Sequence, residues 1–388
     1  RWTGAQHSNV DCGGSAFLAG LPPPTGAGAG MNALARRMAR LIETGGPLSI
    51  AAFTTLTLHD PQHGFYASRE SIGADGAFIT APEISQIFGE LLGLWCVQVW
   101  RDQGCPRRPR LLELGPGRGT LMQDALRAFE RMPEFLAELE IVLIEGSAAL
   151  EALQRERLRD APVAVQWVRQ WTGIAQDRPL FLIANEFFDA LPIRQFVWTE
   201  RGWCERIVTL DTSGELAYAL APVPVALAIS PERGLPDRGA VYEVSPAAEA
   251  LVEEISRTIV ENGGAALLID YGHAGHGFGD TLQAVARHES TDILHAPGEA
   301  DISAHLDFSA LARCAHEAAG DVYGPVPQEG FLRAMGIDAR AAKLSVDNPG
   351  YGPEIALAVD RLTNTHAMGA LFKVMAIVPR VSPPPPGF

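Results

Sequence analysis

The stretch Leu111-Leu-Glu-Leu-Gly-Pro-Gly-Arg-Gly119 decides how the rest of the chain is read. An apolar run suited to a buried strand carries an acid at Glu113. It then breaks into glycines at Gly115, Gly117 and Gly119, and a helical pattern opens at Thr120. Glycines let a backbone turn sharply and approach a ligand, and a helix begins with N–H groups that lack partners of their own. The spacing narrows the ligand. A dinucleotide loop needs Gly-x-Gly-x-x-Gly, and the place of its third glycine holds Thr120. A P-loop needs Gly-Lys-Ser or Gly-Lys-Thr, and neither follows. Acid-x-Gly-x-Gly-x-Gly suits S-adenosylmethionine, whose cationic amino-acid part is drawn to a carboxylate and which has no pyrophosphate to place at the helix N-terminus.

Outward from this loop, residues 110–184 alternate strand and helix: strands at 110–114, 141–145, 163–168 and 180–184, helices from Thr120 to about Met132 and over 148–159. That rhythm predicts an α/β fold with a parallel sheet covered by helices on both faces, and such sheets bind ligands at the carboxyl ends of their strands. From 194 to 221 the pattern changes to Val, Trp, Thr, Tyr and Ile runs separated by Gly202 and Gly214, which predicts inserted β-hairpins over the pocket. The insertion is expected to span about 190–262. The sheet resumes at 265–272 and ends with 371–378.

Residues 31–108 read as a largely helical N-terminal region, with Leu34, Met38, Leu41 and Ile42 on one apolar face and a second helical run over 84–100. The connection between them is rich in glycine and aromatic residues. Its Phe65, Tyr66 and Phe78 suit either a lid or a sealed core edge. The first 30 residues begin with Arg1 and are rich in Gly, Ala and Pro, as expected of a leader or non-native segment outside the fold. Residues 109–380 form the expected methyltransferase-type core. The Pro-rich tail, 381–388, is expected to be an extended, loosely attached end.

A chain of 388 residues, 47% of them hydrophobic, can bury a large core. Its 31 basic and 46 acidic residues give a net charge of -15, which argues against nucleic acid as a partner. The negative field suits an arginine-bearing protein or peptide, or serves solubility alone. Five scattered cysteines without a Cys-x-x-Cys pair read as reduced thiols in a cytosol-like compartment. No uninterrupted apolar run is long enough for a membrane span.

Glu145, at the end of the second strand, is placed to accept hydrogen bonds from ribose hydroxyls, or else is a solvated strand-end acid. Directly after the fourth strand comes Asn185-Glu-Phe-Phe-Asp-Ala-Leu-Pro192. Its Glu186 and Asp189, with Asn185, are candidate catalytic residues. Paired carboxylates grip a planar, permanently charged guanidinium in two-pronged fashion. The alternative for Asp189 is a helix cap near Ala190. His273, His276, His288, His295 and His305 are irregularly spaced in glycine-rich loops and without cysteine partners, so no metal site is expected. No Gly-x-Ser-x-Gly elbow supports a hydrolase.

Taken in order, Phe78-Ile-Thr-Ala-Pro-Glu-Ile-Ser-Gln86, Glu113-Leu-Gly-Pro-Gly-Arg-Gly-Thr120, Asn185-Glu-Phe-Phe-Asp-Ala-Leu-Pro192, Ile269-Asp-Tyr-Gly272, Asp280-Thr-Leu-Gln-Ala-Val285 and Asp301-Ile-Ser-Ala-His-Leu-Asp-Phe308 resemble the MidA family of S-adenosylmethionine-dependent methyltransferases. The resemblance runs from about residue 31 to 378. It implies a class I methyltransferase, Rossmann-like sheet with a helical N-terminal region and inserted elements. It also implies protein arginine methylation of the kind that serves complex I assembly, with a complex I subunit as substrate. By motif, Gly115, Gly117, Gly119 and Thr120 would line the cofactor with Glu113 and Glu145. Thr80, Pro82 and Glu83 would close over cofactor or acceptor, and Tyr271 and His273 would join Glu83 on the acceptor side. The compartment would be the cytoplasm of a bacterium, or the mitochondrial matrix of a eukaryote. Two rivals stand beside this reading: a nicotinamide-dependent oxidoreductase on the same sheet, and an assembly factor that keeps the fold without turnover.

Overall fold

Eight strands build the main sheet of the computed structural model, which describes residues 31–67, 80–174, 177–275, 277–286 and 289–388. In chain order they are β1 (Arg110–Leu114), β2 (Glu140–Ile144), β3 (Val165–Val168), β4 (Leu180–Asn185), β5 (Gly264–His273), β6 (Leu306–Asp307), β7 (Gly320–Pro327) and β8 (Phe372–Pro379). Their order across the sheet is β7-β8-β5-β4-β1-β2-β3, with the two-residue β6 beside the end of β5. Strands β1 to β5 pair in parallel, whereas β8 runs antiparallel to both β5 and β7. This is a doubly wound, Rossmann-like α/β sheet, the architecture that the resemblance implies. The order reverses between β1 and β4, so a crevice opens at the carboxyl ends of those two strands.

Alternation along the strands divides the core. Leu111, Ile141, Leu143, Phe181, Ile183, Leu267 and Val374 face one side, packed with the helices Gln86–Asp102 and Thr120–Phe129. Leu112, Val142, Ile144, Leu182, Leu268 and Met375 face the other, packed with the helices Pro246–Asn262 and Phe308–Glu317. Every residue of β1 and β4 is buried, as expected of central parallel strands covered on both faces. Each such Leu, Ile or Phe contributes roughly 1.5–3 kcal/mol of burial, which makes the carboxyl ends of these strands a rigid base for the crevice.

Over that end lies a third apolar cluster. The helices Ala33–Gly45 and Ile50–His59 contribute Leu34, Met38, Ile42, Phe53 and Leu58, and meet Ile193, Val208, Ala284 and Ile302. Leu41, expected on the same helical face, is 40% exposed, because the stripe follows the 34-38-42 spacing. The inserted hairpins are present: Arg194–Thr199 pairs with Gly202–Leu210, which pairs with Leu216–Leu220. The short strand Leu48–Ser49 adds to the edge of this sheet, tying the N-terminal region to the insertion. Within 190–262, the helix Pro246–Asn262 packs on the main sheet rather than on the hairpins. The helix from Thr120 ends at Phe129, and the short helix Pro133–Leu136 follows.

The tail corrects an expectation. Instead of hanging loose, it docks: the indole N–H of Trp95 donates to the Pro386 carbonyl at 3.1 Å, and Phe388 stacks near Phe331 at 5.5 Å. The prolines deny it a strand or helix, and apolar packing holds it in an irregular path. No described helix is long and apolar enough to cross a membrane. The four described cysteines are unpaired.

Candidate active site

The glycine loop follows β1 into the crevice with three left-handed residues, Gly115 (φ 60°), Gly117 (φ 53°) and Gly119 (φ 77°). At Gly115 an added Cβ would come within 2.8 Å of the Phe187 ring. At Gly117 it would meet nothing within 4 Å, so the loop leaves open room on that side. Gly119 is the N-cap of the following helix.

Glu113 lies beneath the loop, 3% exposed, with its Oε2 unpartnered. Burial, and then the neighbouring Glu145 charge, pushes its pKa up to about 8. Glu145 is also buried. Its Oε1 accepts from the Ser147 N–H at 2.7 Å and its Oε2 from Gln154 Nε2 at 2.9 Å. A carboxylate has about four acceptor positions, so capacity remains on both oxygens. Gln154 was not singled out from the sequence, yet it organises this half of the site. Fully buried, it donates also to the Gly117 carbonyl at 2.8 Å and accepts from the Trp167 indole at 2.9 Å.

The second half of the site follows β4. Glu186 N–H donates to the Ile269 carbonyl, and its own backbone is left-handed at φ 51°, a strained conformation for a residue with a side chain. Its Oε1 accepts from Ala81 N–H at 2.9 Å and from Asn185 Nδ2 at 3.2 Å. Asn185 is 8% exposed and its Oδ1 has no partner. Burial raises Glu186 to about 7 and Asp189 to about 6. The Tyr271 hydroxyl donates to Asp189, which partly offsets that rise. Asp189 lies in a single 3-10 turn, Phe188–Ala190, so it caps no helix. Asp270, which sequence reasoning did not select, pins this loop. Its Oδ2 accepts from Phe188 and Asp189 N–H at 3.1 and 3.2 Å, and its Oδ1 from Tyr271 N–H at 2.9 Å. Burial, then the Asp189 and Glu186 charges, raises its pKa well above the carboxylate range.

The structure thus joins Glu113, the glycines and Glu145 on one side of the crevice, and Asn185, Glu186, Asp189 and Tyr271 on the other. Phe187, under Gly115, links the two. The remaining candidates lie at the margins. Thr80 is the N-cap of the short helix Ala81–Ile84 without a side-chain cap bond, and Pro82 stands in its first turn. Glu83 reaches Thr120 by a short hydrogen bond and Arg157 at 3.6 Å, so both Glu83 and Thr120 are engaged in a surface cluster at the helix start. His273 Nδ1 lies 2.8 Å from the Gly275 carbonyl. Its ring lines a separate cavity of about 370 Å³ beyond Phe188, shared with Ile193, Tyr242, His305 and Leu311. Phe78, His276 and His288 fall outside the described residues. Among the described residues no group of three His, Cys, Asp or Glu could hold a metal ion.

The cofactor half has the features S-adenosylmethionine requires. A buried acid with a free oxygen awaits a cation, a second acid keeps acceptor capacity for hydroxyls, and the open side of Gly117 leaves space that any Cβ would fill. Comparison with known proteins gives the family and the cofactor class. Residues 91–326 match the family described as "Putative S-adenosyl-L-methionine-dependent methyltransferase". The chain is 37% identical to mouse "Protein arginine methyltransferase NDUFAF7, mitochondrial" over 370 residues, covering 89% of this chain and 84% of that protein. It is 37% identical to the human protein of the same name over 371 residues, covering 89% and 83%. A crystal structure of a Burkholderia thailandensis protein bound to S-adenosyl-homocysteine superposes with a TM-score of 0.80 at 30% identity, covering 91% of this chain and 93% of the other. A match over residues 91–326, together with relatives 37% identical over most of their length, shows that the chain belongs to the family of S-adenosylmethionine-dependent methyltransferases, and the crevice between β1 and β4 is the candidate for its site.

Proposed function

We propose that this enzyme methylates arginine in a protein substrate, and that Glu186 and Asp189 receive the guanidinium. The observation that carries this reading is the placement of two half-buried carboxylates, close enough for the Asp189 charge to raise Glu186, just after β4, whose neighbour β1 leads into the glycine loop. The relatives' names, protein arginine methyltransferase, support it. The resemblance to the MidA family extends it to a subunit of complex I as the acceptor. The compartment proposed is the mitochondrial matrix in a eukaryote, the relatives' names giving the word mitochondrial, or the cytoplasm in a bacterium.

S-adenosylmethionine, when bound, supplies an activated sulfonium methyl. The assigned holders are Glu113 for its cationic amino-acid end, Gly115 to Gly119 for the backbone cradle, and Glu145 for the ribose hydroxyls. On the acceptor side, Asp189 is oriented by the Tyr271 hydroxyl, and Glu186 by Ala81 N–H and the Asn185 amide. Held between them, a guanidinium nitrogen is fixed in direction, which is the main demand when the group transferred is already activated. Each methyl gained costs the guanidinium one N–H proton, and Glu186, with a pKa of about 7, can take it at its carboxylate.

The test is incubation of the purified protein with S-adenosylmethionine and candidate protein substrates, followed by mass spectrometry of the products. Methylarginine formed by wild type and lost in Asp189→Ala supports the reading. A protein that binds cofactor and leaves every arginine unmodified supports the assembly-factor rival.

A further inference from the structure

The acids on the acceptor side outnumber the two assigned to it above. Asp301, at the start of the inserted strand Asp301–Ser303, is half-buried and lies near enough to Asp189 and Glu186 for their charges to be felt between them, and its strand runs into Ala304, whose N–H donates to the Asp189 carbonyl. Among the described residues, none of the three has an Arg or Lys within ion-pairing distance. Tyr66, from the loop after the helix Ile50–His59, donates its hydroxyl to Asp301 Oδ1 at 3.1 Å. Its carbonyl accepts from Ser147 Oγ at 3.1 Å, two residues past Glu145. The segment that carries Asp301 is stitched to the acid loop, since Ala304 N–H donates to the Asp189 carbonyl at 3.1 Å and Ser303 bonds the Tyr271 hydroxyl.

An acid cluster alone specifies no ligand. The second observation is Asn185, 8% exposed and beside Glu186, whose Oδ1 is a buried acceptor with no donor. A buried acceptor without a partner is costly, and so is a group of half-buried carboxylates with no cation among them. One chemical group answers both: a planar cation with several N–H donors in a fixed fork, which a guanidinium provides and an ammonium does not.

We propose that Asp301 is the third carboxylate of the acceptor site, meeting the guanidinium edge opposite Glu186 and Asp189, and that Tyr66 is the positioning residue that aims it. The proposal rests on the arginine reading above and adds the inserted segment to the machinery. It also gives the Tyr66 loop a task. Bonded to Ser147 on the cofactor side and to Asp301 on the acceptor side, Tyr66 spans the two halves of the site.

The experiment uses the full chain saturated with S-adenosylhomocysteine, titrated calorimetrically with N-acetyl-arginine methylamide and, as a non-planar control, N-acetyl-lysine methylamide. Wild type is expected to bind the arginine probe and discriminate against the lysine one. Asp301→Asn is expected to weaken the arginine probe at least tenfold with S-adenosylhomocysteine affinity unchanged. Tyr66→Phe, which keeps the ring packing, is expected to weaken it about threefold and to raise KM for an arginine peptide more than it lowers kcat. Arginine-probe affinity equal to wild type in both variants would overturn the proposal, as would a wild type that binds neither probe. The methylation assay fails separately: probe binding that depends on Asp301 without any methylarginine formed would sink the arginine-transfer reading and leave the guanidinium site standing.

Discussion

Gln154 holds Glu145 in place: its Nε2 donates to the Glu145 Oε2 at 2.9 Å while also meeting the Gly117 carbonyl at 2.8 Å. One buried amide therefore fixes both the proposed ribose acceptor and the backbone of the glycine loop. Gln154→Leu keeps the volume and removes the bonds, leaving the Gly117 carbonyl and Trp167 indole without partners. We expect a stability loss of about 1–3 kcal/mol and a rise of about tenfold in Kd for S-adenosylhomocysteine. Calorimetry with parallel thermal melts checks both, and unchanged affinity would show that the amide serves the fold alone.

Acidity at Glu113 has a consequence for stability. The folded protein holds this proton up to about pH 8, whereas the unfolded chain releases it near the ordinary glutamate value of 4.5. Between those values the native state binds more protons, so stability falls as pH rises. The slope from this one group is at most about 1.4 kcal/mol per pH unit. Glu113→Gln is expected to flatten the decline seen between pH 5.5 and 8 in the ligand-free protein and to weaken cofactor binding. A denaturation series across that range with the same slope in the variant would contradict the assignment.

Asp270 accepts the two backbone N–H groups of the 188–189 turn and a third from Tyr271. Asp270→Asn turns one acceptor into a donor facing one of those N–H groups. The expected result is a loss of about 2–3 kcal/mol in stability and a fall in turnover larger than any change in cofactor affinity. Equal losses in turnover and cofactor affinity would show that the turn also supports the glycine loop.

Much of this site could be read from the chain because its signals are local. The Gly115, Gly117 and Gly119 spacing is a backbone requirement written in consecutive residues, and the strands ending at Leu114 and Asn185 are apolar runs bounded by polar turns. Gln154 carried no such signal: a glutamine in the helix Ala148–Arg157 looks like surface until the fold turns it toward Glu145. Tyr66 and Asp301 are 235 positions apart, and only the closure of the third apolar cluster brings them together. His273 shows the reverse. The motif put it on the acceptor side with Tyr271, and at the end of β5 its ring lines the cavity beside Phe188. The docked tail depends on Trp95 and Phe331, partners that no local pattern names.

The division of the crevice into a cofactor half and an acceptor half is tested most directly by calorimetric titration with S-adenosylhomocysteine of wild type, Gly117→Val and Asp189→Ala. Gly117 is left-handed and its open side is the proposed cradle, so valine both strains the loop and fills the space. The expected result is saturable binding to wild type, none to Gly117→Val, and wild-type affinity with strongly reduced methyl transfer in Asp189→Ala. Equal loss of binding in both variants would contradict the account, because Asp189 would then belong to the cofactor's own site.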